Sequence, residues 1–201
     1  MTTTEAAESS HWGKIDGVSI DFPMVVDEMH QLTLTYTVDL AAARALLPGD
    51  AFEVLEVAPG SALLIVALVD YVENPWGDYN EINLGLLAHP VDQPERIGAF
   101  VWRMPVNQEF TKRAGNEVLG LPKTVEDLTY EYGDDAVTVH MAQDGVGVMT
   151  VRFPRHLSSD PATVTEAVTW SYIEGAPTEL PLVIEVGPAM VDPAQTEASP
   201  G

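Results

Sequence analysis

Only three lysines occur in the chain, Lys14, Lys112 and Lys123, and the third keeps unusual company. Lys14 and Lys112 lie in polar runs. Lys123 follows Val118-Leu-Gly-Leu-Pro122 and precedes Thr124-Val125, at the start of a segment that reads as a buried strand. Lysine is seldom buried unless it is paired or put to use. Stripping water from an ammonium disfavours its charged form, and a neutral amine adds to carbonyl carbon to give a Schiff base. The same side chain could instead lay its stem on the core and lift its ammonium to water. The second group of interest is Glu81, which precedes Ile82-Asn-Leu-Gly-Leu-Leu87, an apolar neighbourhood for a carboxylate. General acid–base work and a plain place on a strand edge both remain open for it.

Strands must position both residues. Val18–Val26, Gln31–Val38, Phe52–Val57, Ala62–Val72, Tyr79–Ala88 and Ile97–Val106 carry apolar residues at strand spacing. Leu32 to Val38 alternates with period two, and Ala62–Val72 is apolar on both faces, so it should be central. Lys123–Tyr132, Val137–Ala142, Val146–Phe153, Val164–Tyr172 and Leu180–Val186 complete the strand set. Two short helices are predicted: Leu40–Leu47, capped by Asp39 and stopped by Pro48-Gly49, and a helix capped by Asn107 that runs to Ala114 and ends at Gly115. Many strands with regular turns point to a mainly β (α+β) fold, its antiparallel strands closed into a barrel or cone around a central cavity. The reading gives one domain over residues 15–186, with flexible tails at 1–14 and 187–201.

Gly115-x-Glu117-x-x-Gly120-Leu121-Pro122-Lys123 resembles the signature of the acetoacetate decarboxylase superfamily, in which a small-residue turn and a Pro-Lys pair present the Schiff-base lysine. Gly77-Asp78-Tyr79-Asn80-Glu81 resembles the segment carrying the family's acid/base glutamate. The resemblance runs from about residue 18 to about 180. It implies that Lys123 and Glu81 are catalytic, that Met29, Leu64, Tyr79, Leu121 and Thr124 contact substrate, and that the lysine points into the cavity. Glu117 is either functional or a turn-fixing acceptor.

The departures from the family pattern narrow the chemistry. Decarboxylating members follow the Schiff-base lysine with a second lysine, and here Thr124 takes that place. A family arginine able to bind a substrate carboxylate aligns with Met29, and a second pocket glutamate aligns with Leu64 or a near neighbour. The resemblance then implies a Schiff-base lyase acting on a keto acid or related ketone, of aldolase, dehydratase or cyclase type. The alternatives are a β-keto acid decarboxylase and a non-catalytic barrel that binds an apolar ligand.

Composition bounds the rest. A formal charge of -22 repels nucleic-acid phosphates and anionic membranes. No cysteine is present, so disulfides and thiolate metal sites are excluded. The five histidines are scattered with no metal-ligand spacing, and no Gly-x-Ser-x-Gly elbow, Walker loop or Gly-x-Gly-x-x-Gly nucleotide loop occurs. No metal and no cofactor is expected. No signal peptide is visible and the longest apolar run is too short to span a bilayer. The expectation is a cytoplasmic protein whose partners are a small keto substrate and further copies of itself in a homo-oligomer.

Overall fold

The computed structural model describes residues 10–155, 161–187 and 191–200. Strands β1 (Ser10–Ile15) and β2 (Val18–Phe22) form a two-stranded antiparallel hairpin. Strand β3 (Glu28–Asp39) runs into helix α1 (Leu40–Arg44), where the Asp39 carboxylate accepts the Ala42 N–H as the N-cap. Short β4 (Phe52–Val54), then β5 (Ser61–Glu73), β6 (Tyr79–Pro90) and β7 (Gly98–Val106) follow. Strands β3, β5, β6 and β7 pair antiparallel in that order, with β4 on the end of β6.

After β7 the chain forms α2 (Glu109–Val118) and returns as β8 (Lys123–Val125), parallel to β7. Parallel neighbours need a crossover, and α2 is that crossover. At Glu126 the chain leaves this sheet for β9 (Asp127–Tyr132), β10 (Ala136–Gln143) and β11 (Val146–Pro154). The strand expected over Lys123–Tyr132 is therefore two strands in two sheets. Strand β12 (Thr163–Ile173) pairs parallel with β7 through Ala99 and Phe100 and antiparallel with β13 (Ala176–Val186). Strand β14 (Glu197–Ser199) adds to β11.

Register sorts the residues of the large sheet by parity. Strands β5 and β6 pair from Leu64↔Leu86 to Tyr71↔Tyr79 without a slip. Successive side chains point to opposite faces, so even-numbered residues of both strands share one face and odd-numbered ones the other. On the even face Val66, Leu68 and Ile82 pack on Leu128, Val139 and Val151 of the four-stranded sheet. On the odd face lie Tyr79 and Glu81, covered by α2. The β1–β2 hairpin clamps α2 from outside, Ile15 and Ile20 meeting Ala114 and Val118.

A mainly β fold with two α-helices is what the structure contains, but the expected barrel is not closed. The eight-stranded sheet ends at β3 on one side and β13 on the other, and among the described residues no strand pairing joins them. The four-stranded sheet lies over one face as a second layer. Alternation and turn residues specify strands, whereas closure depends on the partner of the last strand. Here β12 holds β7 by only two residue pairs. The tails also differ from expectation: Ser10–Lys14 belong to β1, and Glu197–Ser199 form β14. Residues 1–9 lie outside the described residues.

Candidate active site

Lys123 and Glu81 meet on the odd face beneath α2. Lys123 Nζ lies 2.6 Å from Glu81 Oε2, with the residues 6% and 3% exposed. The ammonium also donates to Thr111 Oγ1 at 3.0 Å and sits 5.1 Å from the Tyr79 ring centroid. The other carboxylate oxygen of Glu81 accepts from the Tyr71 hydroxyl at 3.3 Å and from Asn83 Nδ2 at 3.1 Å. Tyr71 and Tyr79 stack with ring centroids 4.4 Å apart. Burial, then the neighbouring Glu81 charge, pushes both phenols well above the ordinary tyrosine range, so they remain hydroxyls.

The elements explain why these groups converge. On β6, Tyr79, Glu81 and Asn83 are two apart and share a face; Tyr71 stands opposite Tyr79 on β5. Thr111 and Gly115 are four apart on α2 and stack along one stripe, both turned to Lys123. A Cβ built on Gly115 would lie 2.6 Å from Lys123 Cδ, so only glycine lets the lysine stem pass. Asn116 fixes the backbone of Lys123 from both sides, accepting its N–H at 2.8 Å and donating to its carbonyl at 3.0 Å. Gly120, at φ +65°, makes the turn before Pro122, and a side chain there would strike the Tyr172 carbonyl at 2.0 Å. Ser171 Oγ donates to the Gly120 carbonyl at 2.7 Å, tying this turn to β12.

The structure brings together Lys123, Glu81 and Tyr79. Met29 stands opposite Tyr71 at the margin of the same face. Leu121 acts through its backbone: its N–H donates to the Gly115 carbonyl and its carbonyl accepts from Lys123, both at 2.9 Å. Leu64 does not belong to the site. It is on the even face, five residues along β5 from Val69, the partner of Glu81, and packs on the clusters around Val66 and Leu40. Thr124 is exposed, and strand alternation turns it away from the lysine. Glu117 is exposed and pairs with Arg113 at 3.0 Å. The helix cap is Gln108, while Asn107 bonds Asn80; Gly115 lies inside α2 and does not end it. Pockets of about 420 and 460 Å³ open around Met141 and Tyr132, and neither is lined by Lys123 or Glu81.

Sequence reasoning missed Thr111, Tyr71, Asn83 and Asn116. Strand alternation from Glu81 would have found Asn83. Nothing in the local sequence marks Thr111, whose part depends on how α2 crosses the sheet. Among the described residues no helix is long and apolar enough to cross a membrane.

The comparison with known families matches residues 8–199 to acetoacetate decarboxylase (ADC). The chain belongs to the acetoacetate decarboxylase family. An acetoacetate decarboxylase from Legionella pneumophila has a similar fold, with a TM-score of 0.58 at 14% identity over 85% of this chain and 70% of that one. A second acetoacetate decarboxylase structure gives a TM-score of 0.60 at 15% identity, covering 88% and 74%. A third is the enduracididine biosynthesis enzyme MppR, complexed with the condensation product of pyruvate and imidazole 4-carboxaldehyde, with a TM-score of 0.50 at 16% identity over 78% and 66%. No curated protein sequence matches the chain significantly. Enzymes of more than one name thus share this fold.

Proposed function

We propose that this family member is a lyase whose Lys123 forms a Schiff base with a keto acid or related ketone, with Glu81 moving the protons. The observation that carries this reading is the buried 2.6 Å contact between Lys123 Nζ and Glu81 Oε2. Passing the proton along that contact gives a neutral amine and a carboxylic acid. The amine nitrogen attacks the carbonyl carbon, and the carbinolamine loses its hydroxyl as water with the proton that Glu81 returns. The resulting iminium draws electrons from the adjacent carbon. Glu81, again a carboxylate, can then take a proton from that carbon to give an enamine, the intermediate for aldol addition, dehydration or cyclisation. Tyr71 and Asn83 hold the carboxylate in place while Thr111 and the Tyr79 ring hold the nitrogen.

The family match favours a second reading, decarboxylation of a β-keto acid. It uses the same iminium but needs a cation for the substrate carboxylate. Arg113 is bound to Asp16 and Glu117, and Arg96 to Glu179. Arg103 pairs opposite Leu84 on the other face of the sheet. Addition and elimination on a ketone without a carboxylate need no such group. Borohydride reduction in the presence of keto compounds tests the common step. Mass should be added to the peptide containing Lys123; labelling only of Lys14 or Lys112, or no labelling across a varied panel, overturns the proposal.

A further inference from the structure

One buried polar atom beside Glu81 has no use in the mechanism above. Asn83 Oδ1 is inaccessible and finds no hydrogen-bond donor among the described residues. Its orientation is fixed. The other end of the amide, Nδ2, donates to Glu81 Oε1 at 3.1 Å. Turning the amide over would set its oxygen against a carboxylate oxygen, two acceptors with no proton between them. Because the amide oxygen and nitrogen share one carbon, Oδ1 stands next to the carboxylate that holds Lys123. Unpaired buried acceptors are rare in native proteins, and each calls for an explanation.

The charges nearby complete the picture. Lys123 is the cation bound to Glu81, and the other basic side chains of the neighbouring elements point elsewhere. Lys112 pairs with Glu109, Arg113 with Asp16 and Glu117, and Arg103 bonds Gln143 across the opposite face. Once the lysine has become an iminium, a substrate carboxylate would face Glu81 with no further counter-ion. What the site lacks is a donor, not an anion.

We infer that the substrate is a neutral ketone carrying an O–H next to its carbonyl, and that Asn83 Oδ1 is the acceptor selecting that hydroxyl. This rests on Schiff-base formation at Lys123. The hydroxyl of an α-hydroxy ketone lies two bonds from the carbon that Lys123 attacks, so one ligand would offer the lysine a carbonyl and the amide a donor. An apolar group in that place would leave Oδ1 buried and unpaired, a penalty by which sites built for hydrogen bonding reject analogues lacking the group.

Hydroxyacetone and butanone test this, since they differ only in a hydroxyl for a methyl. Each is offered with borohydride to the intact protein and to Asn83→Leu and Asn83→Ala, and the Lys123 adduct is quantified. Hydroxyacetone is the more electrophilic, so the readout is the hydroxyacetone-to-butanone ratio relative to the variants. The ratio should fall about ten-fold in either variant, the worth of one neutral hydrogen bond, whatever both yields lose together with the Nδ2 contact to Glu81. Asn83→Ala serves if the leucine variant does not fold. An unchanged ratio overturns the role of Asn83 while the Schiff-base reading stands. Pyruvate trapped as well as hydroxyacetone overturns the neutral-substrate class. No adduct at Lys123 with any of the three removes the Schiff-base reading, and this inference with it.

Discussion

The Lys123 stem lies across Gly115, in the space a Cβ would fill: the built Cβ meets Lys123 Cδ at 2.6 Å and Cε at 2.9 Å. Contacts that short are not tolerated, so the helix and the lysine exclude any side chain at this position. Gly115→Ala should therefore act on chemistry more than on folding. Alanine favours a helix interior by roughly 0.5–1 kcal/mol, against about 1–3 kcal/mol for overpacking. The expected outcome is a small net loss of stability and at least a ten-fold drop in Lys123 trapping. Thermal melts and adduct yields check it; unchanged trapping would mean the stem is free to move aside.

The ion pair itself should show strong coupling. Glu81→Gln leaves a buried ammonium without its counter-charge, which costs about 3–5 kcal/mol. At roughly 2–4 °C per kcal/mol for a chain of this size, the melting temperature should fall by about 6–20 °C. Lys123→Met alone should also destabilise, and the double variant should recover most of the loss. Additive losses in the double-mutant cycle would contradict the pairing.

In the same Glu81→Gln variant, turnover should fall by about 10²–10⁴-fold, the usual share of general acid–base catalysis. Borohydride trapping at Lys123 should slow with it, since Glu81 takes the lysine's proton and returns it as water leaves. Trapping at the unmodified rate would show that the carboxylate acts only after the adduct has formed.

Alkaline pH should destabilise the fold through Tyr71 and Tyr79. Burial, then the Glu81 charge, raises both phenols well above the ordinary value of 10.0. Their stabilising contribution is complete below pH 10, where folded and unfolded tyrosines are both protonated. Above it the unfolded chain ionises first, so stability falls as pH rises, by up to about 1.4 kcal/mol per pH unit for each tyrosine. Urea midpoints between pH 9 and 11 should show this, and Tyr71→Phe should flatten the slope.

Activity on acetoacetate should be weak. The basic side chains of the neighbouring elements, Lys112, Arg113 and Arg103, are already paired, and Thr124 is exposed where decarboxylating relatives are expected to carry a second lysine. Carbon dioxide release is the measurement. Turnover of roughly 10 per second or more would make the protein an ordinary decarboxylase and set aside the addition and elimination readings.

What could be read from the sequence was local. Lys123 and Glu81 stood out because each is a charge in apolar surroundings, and burial without a partner is costly. The strands, their alternation and the Asp39 cap follow from short-range pattern, and between Val18 and Val186 the observed elements agree to within a few residues, apart from the division of Lys123–Tyr132 into β8 and β9. What failed depends on long-range pairing. Leu64 has a plausible type for a pocket, yet its register partner, Leu86, fixes it on the even face. The barrel failed because β13 finds no further strand. Gly115 reads as a helix stop by type, and only the lysine returning beneath it shows why it is glycine.

The unslipped register of β5 and β6 has a consequence for how this protein could change its chemistry. Odd positions carry the reacting groups and even positions the packing against the second sheet, so one strand serves two tasks without sharing residues between them. A lineage could exchange Tyr79, Glu81 and Asn83 for other reactive groups, removing charges in pairs, and leave the layer behind them untouched. Function here can drift at every second residue while the architecture stays in place.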